Sequence, residues 1–124
     1  MADFLHDDVF DSGLSVLDTL VENLYICSTL PTTFAEASST YALGVKATPT
    51  VSAPADRTGG GRKVTVSAIT DGTVSANGTA GFYALTDDSL SKLLAQGDLS
   101  ATQVVTSGNT FTLTAFDIGI PDPA

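Results

Sequence analysis

Lys63–Thr86 reads KVTVSAITDGTVSANGTAGFYALT, and its opening alternates strictly: Val64, Val66 and Ala68 against Lys63, Thr65 and Ser67. Period two is the signature of a half-buried strand. Asp71-Gly72 and Asn77-Gly78 both tolerate positive φ and are expected as hairpin turns. They bracket Thr73-Val74-Ser75-Ala76, which predicts three consecutive short strands ending with Thr79–Thr86. Downstream, Asp87-Asp88 is expected to turn the chain, and Lys92–Gln96 supplies another strand before Gly97-Asp98. Phe111 and Leu113 alternate with Thr110, Thr112 and Thr114. Phe116, Ile118 and Ile120 then fall on the opposite parity, so a bulge or twist is expected near Ala115. Pro121 and Pro123 offer no ladder donor and are expected to end the pairing.

Working toward the N-terminus, the period changes before Gly44. Phe34-Ala35-Glu36-Ala37 reads as one helical turn after Pro31, and Leu24–Ser28 as a short buried strand. Leu5, Val9, Gly13, Leu14, Leu17, Leu20, Val21 and Leu24 recur at spacings of three and four, the apolar stripe of an amphipathic helix. Asp7 and Asp8 near its start complement the helix dipole. The spacing predicts a helix over residues 7–22. The expected fold is mainly β, an antiparallel sandwich or open barrel of about six or seven short strands behind one N-terminal helix.

At 124 residues the chain is expected to be a single domain, 1–124. Hydrophobic residues make up 43%, which argues against disorder, and charged residues only 15%, below the usual quarter. Fourteen acidic residues against five basic ones give a formal charge of -9, the wrong sign for gripping phosphates, so direct nucleic-acid binding is not expected. One cysteine, Cys27, excludes an internal disulfide. No stretch approaches the roughly 20 apolar residues of a membrane helix, and no membrane partner is expected. Met1-Ala2-Asp3-Phe4-Leu5 lacks the features of a secretory signal, which points to synthesis in a cytoplasm.

No catalytic, metal or cofactor site is expected from the residues. His6 is the only histidine and has no second His or Cys to complete a zinc site. Cys27 reads as a buried inert thiol. The pairs Asp7/Asp8 and Asp87/Asp88 stand outside any DxDxDG loop and read as a helix start and a solvated turn. No GxSxG elbow is present. Arg57, Arg62 and Lys63 surround Gly59-Gly60-Gly61, where three readings stay open. One is a phosphate cradle, though GxxxxGK[ST] is absent. Another is a hairpin loop with solvating charges, and the third a contact loop for acidic groups of a partner. Candidate partner contacts are therefore Arg57, Arg62 and Lys63 at this loop. Asp3, Phe4, Asp7, Asp8, Phe10 and Asp11 are the candidates in the opening segment, which has no Lys or Arg through residue 22.

Thr32–Ala37 with Tyr41–Gly44, Gly61–Val66, and Val105–Thr114 resemble stretches of a family of small proteins of tailed bacteriophages and prophages. The likeness runs over nearly the whole chain, including the opening helix and Ile118-Gly119-Ile120-Pro121. These are structural strings, so they carry over no functional residues. The resemblance implies a late-expressed virion structural protein, not an enzyme and without a cofactor. Its implied role is capsid cement or decoration, binding the major capsid protein or other virion proteins on the capsid exterior, with self-association also open. A tail-tip, neck or fibre-associated module fits the same composition. A small-molecule-binding sandwich would require a polar constellation in a pocket.

Overall fold

The computed structural model describes residues 7–120. In chain order they form α1 (Asp7–Leu20), β1 (Asn23–Cys27), a π-helical segment (Glu36–Thr40), β2 (Ala42–Ala47), β3 (Ala55–Asp56), β4 (Arg62–Val66) and β5 (Ile69–Val74). Then follow β6 (Gly78–Asp87), a 3-10 turn (Asp88–Leu90), β7 (Lys92–Val105), β8 (Thr110–Leu113) and β9 (Phe116–Ile120). The fold is mainly β, with the one long helix at the N-terminal end. An antiparallel sheet in the order β7-β6-β1-β2-β5-β8 curls into a half-barrel, and β3-β4-β9 form a second, smaller sheet.

The alternation read from the sequence decides which side chains meet inside. Leu24 and Ile26 of β1, Val74 of β5, Leu85 of β6 and Phe111 of β8 join Val64 and Val66 of β4 in one buried cluster. Leu14 and Leu17 of α1 complete it. Each such side chain contributes about 1.5–3 kcal/mol relative to an exposed one. The odd residues of β1 face the other way. Cys27 packs there with Ala37 and Ala84, flanked by Tyr25, Tyr41, Phe82 and Leu93. Because β1 lies mid-sheet and is covered on both faces, Leu24–Cys27 is a continuous apolar run rather than an alternating one.

The segment that covers the second face is held by its own side chains. Glu36 accepts from the Thr32 backbone N–H (2.9 Å) and hydroxyl (2.8 Å), while the Glu36 N–H donates to the Thr33 hydroxyl (3.1 Å). These contacts satisfy donors at the start of the turn, in the manner of a capping box.

Several sequence expectations need correction. The helix stops at Leu20, not residue 22, because backbone groups of Glu22 are taken up by the sheets: its N–H donates to the Thr86 carbonyl (2.8 Å) and its carbonyl accepts from Thr48 (2.8 Å). Asp71-Gly72 is not a turn; it lies inside β5, at an irregularity in the pairing with β8. Asn77-Gly78 does not close a hairpin, since β5 and β6 are separated by β2 and β1. Instead the Ser75 and Ala76 N–H groups both donate to the Leu43 carbonyl (2.8 and 3.1 Å) as the chain crosses the end of the sheet. Gly97-Asp98 continues β7, which runs unbroken for 14 residues. The parity change near Ala115 marks a switch of sheets, from β8 in the large sheet to β9 in the small one. The strands therefore number nine among the described residues, rather than six or seven. Pro121 and Pro123 lie outside the described residues.

Candidate functional site

The glycine-rich hairpin joins β3 to β4, and Gly59, Gly60 and Gly61 all take positive φ (91°, 105° and 92°). Side chains are strained in that region, so the three glycines are a backbone requirement of this tight reversal. The loop brings Arg57, Arg62 and Lys63 onto one hairpin, as expected, and supplies each with an acceptor. Arg57 Nη1 donates to the Gly60 carbonyl (3.0 Å). Arg62 Nη1 pairs with Asp56 (2.6 Å), and its Nη2 reaches the Pro54 carbonyl (3.3 Å). Lys63 Nζ meets Asp117 of β9 (3.0 Å), whose other oxygen accepts from Thr65 (2.7 Å). The Thr65 hydroxyl, then the Lys63 ammonium, hold the Asp117 carboxyl below its ordinary range. A partner's carboxylate at this loop would have to displace these acceptors. Asp3, Phe4 and His6 lie outside the described residues. Asp7, Asp8, Phe10 and Asp11 fall on the first turns of α1, and their side chains are likewise outside what is described.

A second feature lies where the half-barrel stays open. β7 and β8 are the two ends of the large sheet, and a tight turn joins them, with Asn109 N–H donating to the Thr106 carbonyl (3.1 Å). Just beyond the turn, Gln103 Nε2 of β7 donates to the Thr112 carbonyl of β8 (2.7 Å), a side-chain bridge across the seam. From there the strands part. Pairing of β7 with β6 slips from Ala80↔Gln103 to Phe82↔Asp98, so four residues, 99–102, stand opposite Gly81. This bulge interrupts the pairing of β7 with β6, and the chain on the other side leaves β8 for the small sheet at Thr114-Ala115.

Between them opens a cleft of about 380 Å³ lined by Ile69, Tyr83, Asp98, Leu99, Leu113 and Phe116, among others. The Tyr83 and Phe116 rings pack at a centroid distance of 4.5 Å, tilted by 44°. Burial and, after it, the Asp98 carboxylate push the Tyr83 phenol up. Val104, next to the bridge, is 84% exposed. None of these cleft residues was a sequence-level candidate. The available signals were the parity change at Ala115 and the acidic Asp98, which read as part of a turn.

Cys27 is fully buried, its thiol 3.6 Å from the Ala37 carbonyl, and burial pushes it up to about 11. Asp87 and Asp88 do turn the chain, but Asp87 is buried rather than solvated: it accepts from the Leu90 N–H (3.3 Å), and Tyr25 and Thr86 donate their hydroxyls to Asp88. Glu22 accepts from Ser89 N–H (2.6 Å) and hydroxyl (2.9 Å), which ties the linker after α1 to this turn. The Ser89 backbone N–H is the main cause that holds Glu22 low, while the neighbouring Glu22 pushes Asp87 up. Among the described residues no group of His, Cys, Asp or Glu is arranged to hold a metal ion, and no helix is long and apolar enough to cross a membrane. No protein-family model, curated protein or solved structure matches the chain.

Proposed function

We propose that the protein is a virion structural component of a tailed bacteriophage, a cement or decoration protein that docks on the outside of the assembled capsid. The observation that carries this reading is the open seam of the half-barrel, a largely apolar cleft on an otherwise hydrogen-bonded scaffold. A stiff β domain with an unfilled recess at one seam suits a protein that binds by shape and contributes rigidity to what it binds. The resemblance of Thr32–Gly44, Gly61–Val66 and Val105–Thr114 to phage proteins supports the setting. The formal charge of -9 supports docking on a basic surface, with charge chiefly steering the encounter and apolar contacts holding it.

A ligand that binds the assembled shell better than its dissociated subunits shifts the equilibrium toward assembly. Protein synthesised in the host cytoplasm would then add to shells after they form. Purified protein added to undecorated capsids should bind saturably, raise their resistance to thermal disruption, and associate more slowly at high salt. Failure to bind capsids, with binding to tails or necks instead, transfers the protein to a tail module.

A further inference from the structure

We infer that the seam cleft seats a lysine or arginine side chain carried on an extended segment of a partner protein, its cation against Asp98 and its stem over the Tyr83–Phe116 ring pair. This rests on the reading of the protein as a docking module and names the chemistry of what docks. Three observations carry it.

The first is charge. Asp98 is the one ionisable carboxylate lining the cleft, and among the described residues no side chain donates to it. Four of the chain's five Lys and Arg side chains are engaged elsewhere: Lys46 with Asp71 (3.0 Å), Arg62 with Asp56, Lys63 with Asp117, and Arg57 with the Gly60 carbonyl; the fifth, Lys92 at the start of β7, is exposed and acts on Asp87 rather than Asp98. A cation for Asp98 therefore comes from outside. The second is the aromatic floor. A flat guanidinium or an ammonium gains from a ring face beside it, by about 0.5–1 kcal/mol at exposed sites and more when desolvated. The apolar stem of such a side chain matches Ile69, Leu99 and Leu113 in the same cleft. The third is backbone. The cleft is the wedge between β7 and β8, each at an end of the sheet, so ladder edges face an incoming chain, and an extended segment can take up those bonds.

The other occupants fit worse. A second copy would bring a net charge of -9 against -9, which opposes its approach. Residues 1–6 and 121–124 of this chain contain no Lys or Arg.

The probe is a blocked five-residue peptide of alternating valine and arginine, titrated into the full-length protein at low salt and followed by amide NMR. A peptide with glutamate in place of arginine is the control. The expected result is saturable shifts confined to residues 98–103 and 112–116, absent with the glutamate peptide and weakened about tenfold in Asp98→Asn. Asp98 is exposed, so this variant is expected to fold normally, which its NMR spectrum will show. Shifts elsewhere, equal binding of the glutamate peptide, no saturable binding, or an unchanged affinity in Asp98→Asn each overturn the inference. The assay needs no capsid, so peptide binding alongside a tail location would retain the cleft and reject the capsid reading. Capsid decoration undiminished by Asp98→Asn would do the reverse.

Discussion

Gly72 shows how one residue can be read correctly as special and wrongly as to why. Asp-Gly between apolar runs signals a hairpin because glycine accepts positive φ. In the structure Gly72 is not among the positive-φ glycines; it sits in β5 opposite Phe111, and a Cβ there would overlap the fully buried Phe111 ring. The position needs glycine for space, which local sequence does not reveal, because Phe111 is far away along the chain. Gly72→Ala should therefore destabilise the domain by about 1–3 kcal/mol or more by overpacking. Adding Phe111→Leu should recover part of the Gly72→Ala loss in denaturant unfolding, as coupled neighbours do. Cys27 was legible by contrast, since an apolar strand around a lone cysteine predicts a buried thiol. Its raised pKa carries a sign: the thiol contributes stability in full below its unfolded value near 9, and loses it as pH rises through about 11. Unfolding free energy should fall across that window, and Cys27→Ser should flatten the fall. At neutral pH that variant should cost about 1 kcal/mol, because the Ala37 carbonyl stands ready to accept from the hydroxyl. Rapid labelling of the native thiol would contradict the burial.

At the level of elements, what the periodicity reveals is where strands run and which face is buried; it does not reveal their partners. β4, β6 and the Asp87-Asp88 turn fall close to expectation because each is set by local alternation and turn chemistry. The pairing order is set by long-range packing, so Asn77-Gly78 signals a hairpin that the sheet order forbids. The cleft was hidden for the same reason, being made by a bulge in β7 and a sheet switch after β8, two irregularities more than ten residues apart. The Gln103–Thr112 bridge is a side-chain hydrogen bond that joins the two sides of this seam. Gln103→Ala should cost about 1 kcal/mol. It should also speed amide exchange at the Val105 and Thr110 ends of β7 and β8 without changing exchange in β1. Uniform loss of protection across the sheet would mean that the bridge does not act locally.

For the whole molecule, charge is the property most legible from composition and most consequential for docking. Of the hairpin cations, Arg62 and Lys63 are each paired with a carboxylate and so add little to the field, whereas Arg57 meets only a carbonyl; surface ion pairs of this kind contribute about 0–1 kcal/mol each. Replacing Arg57, Arg62 and Lys63 together by Ala should leave the domain folded by circular dichroism. If the hairpin is a capsid contact, the same variant should bind capsids more weakly; undiminished binding would remove these three residues from the interface. What docking would achieve depends on number, because a protein that reinforces a shell must occupy its repeating sites throughout. The most direct test is the copy number per purified virion, from quantitative mass spectrometry against the major capsid protein. The account predicts a copy number of the same order as that of the capsid subunit; a few copies per particle, on the scale of a tail or neck ring, would contradict it.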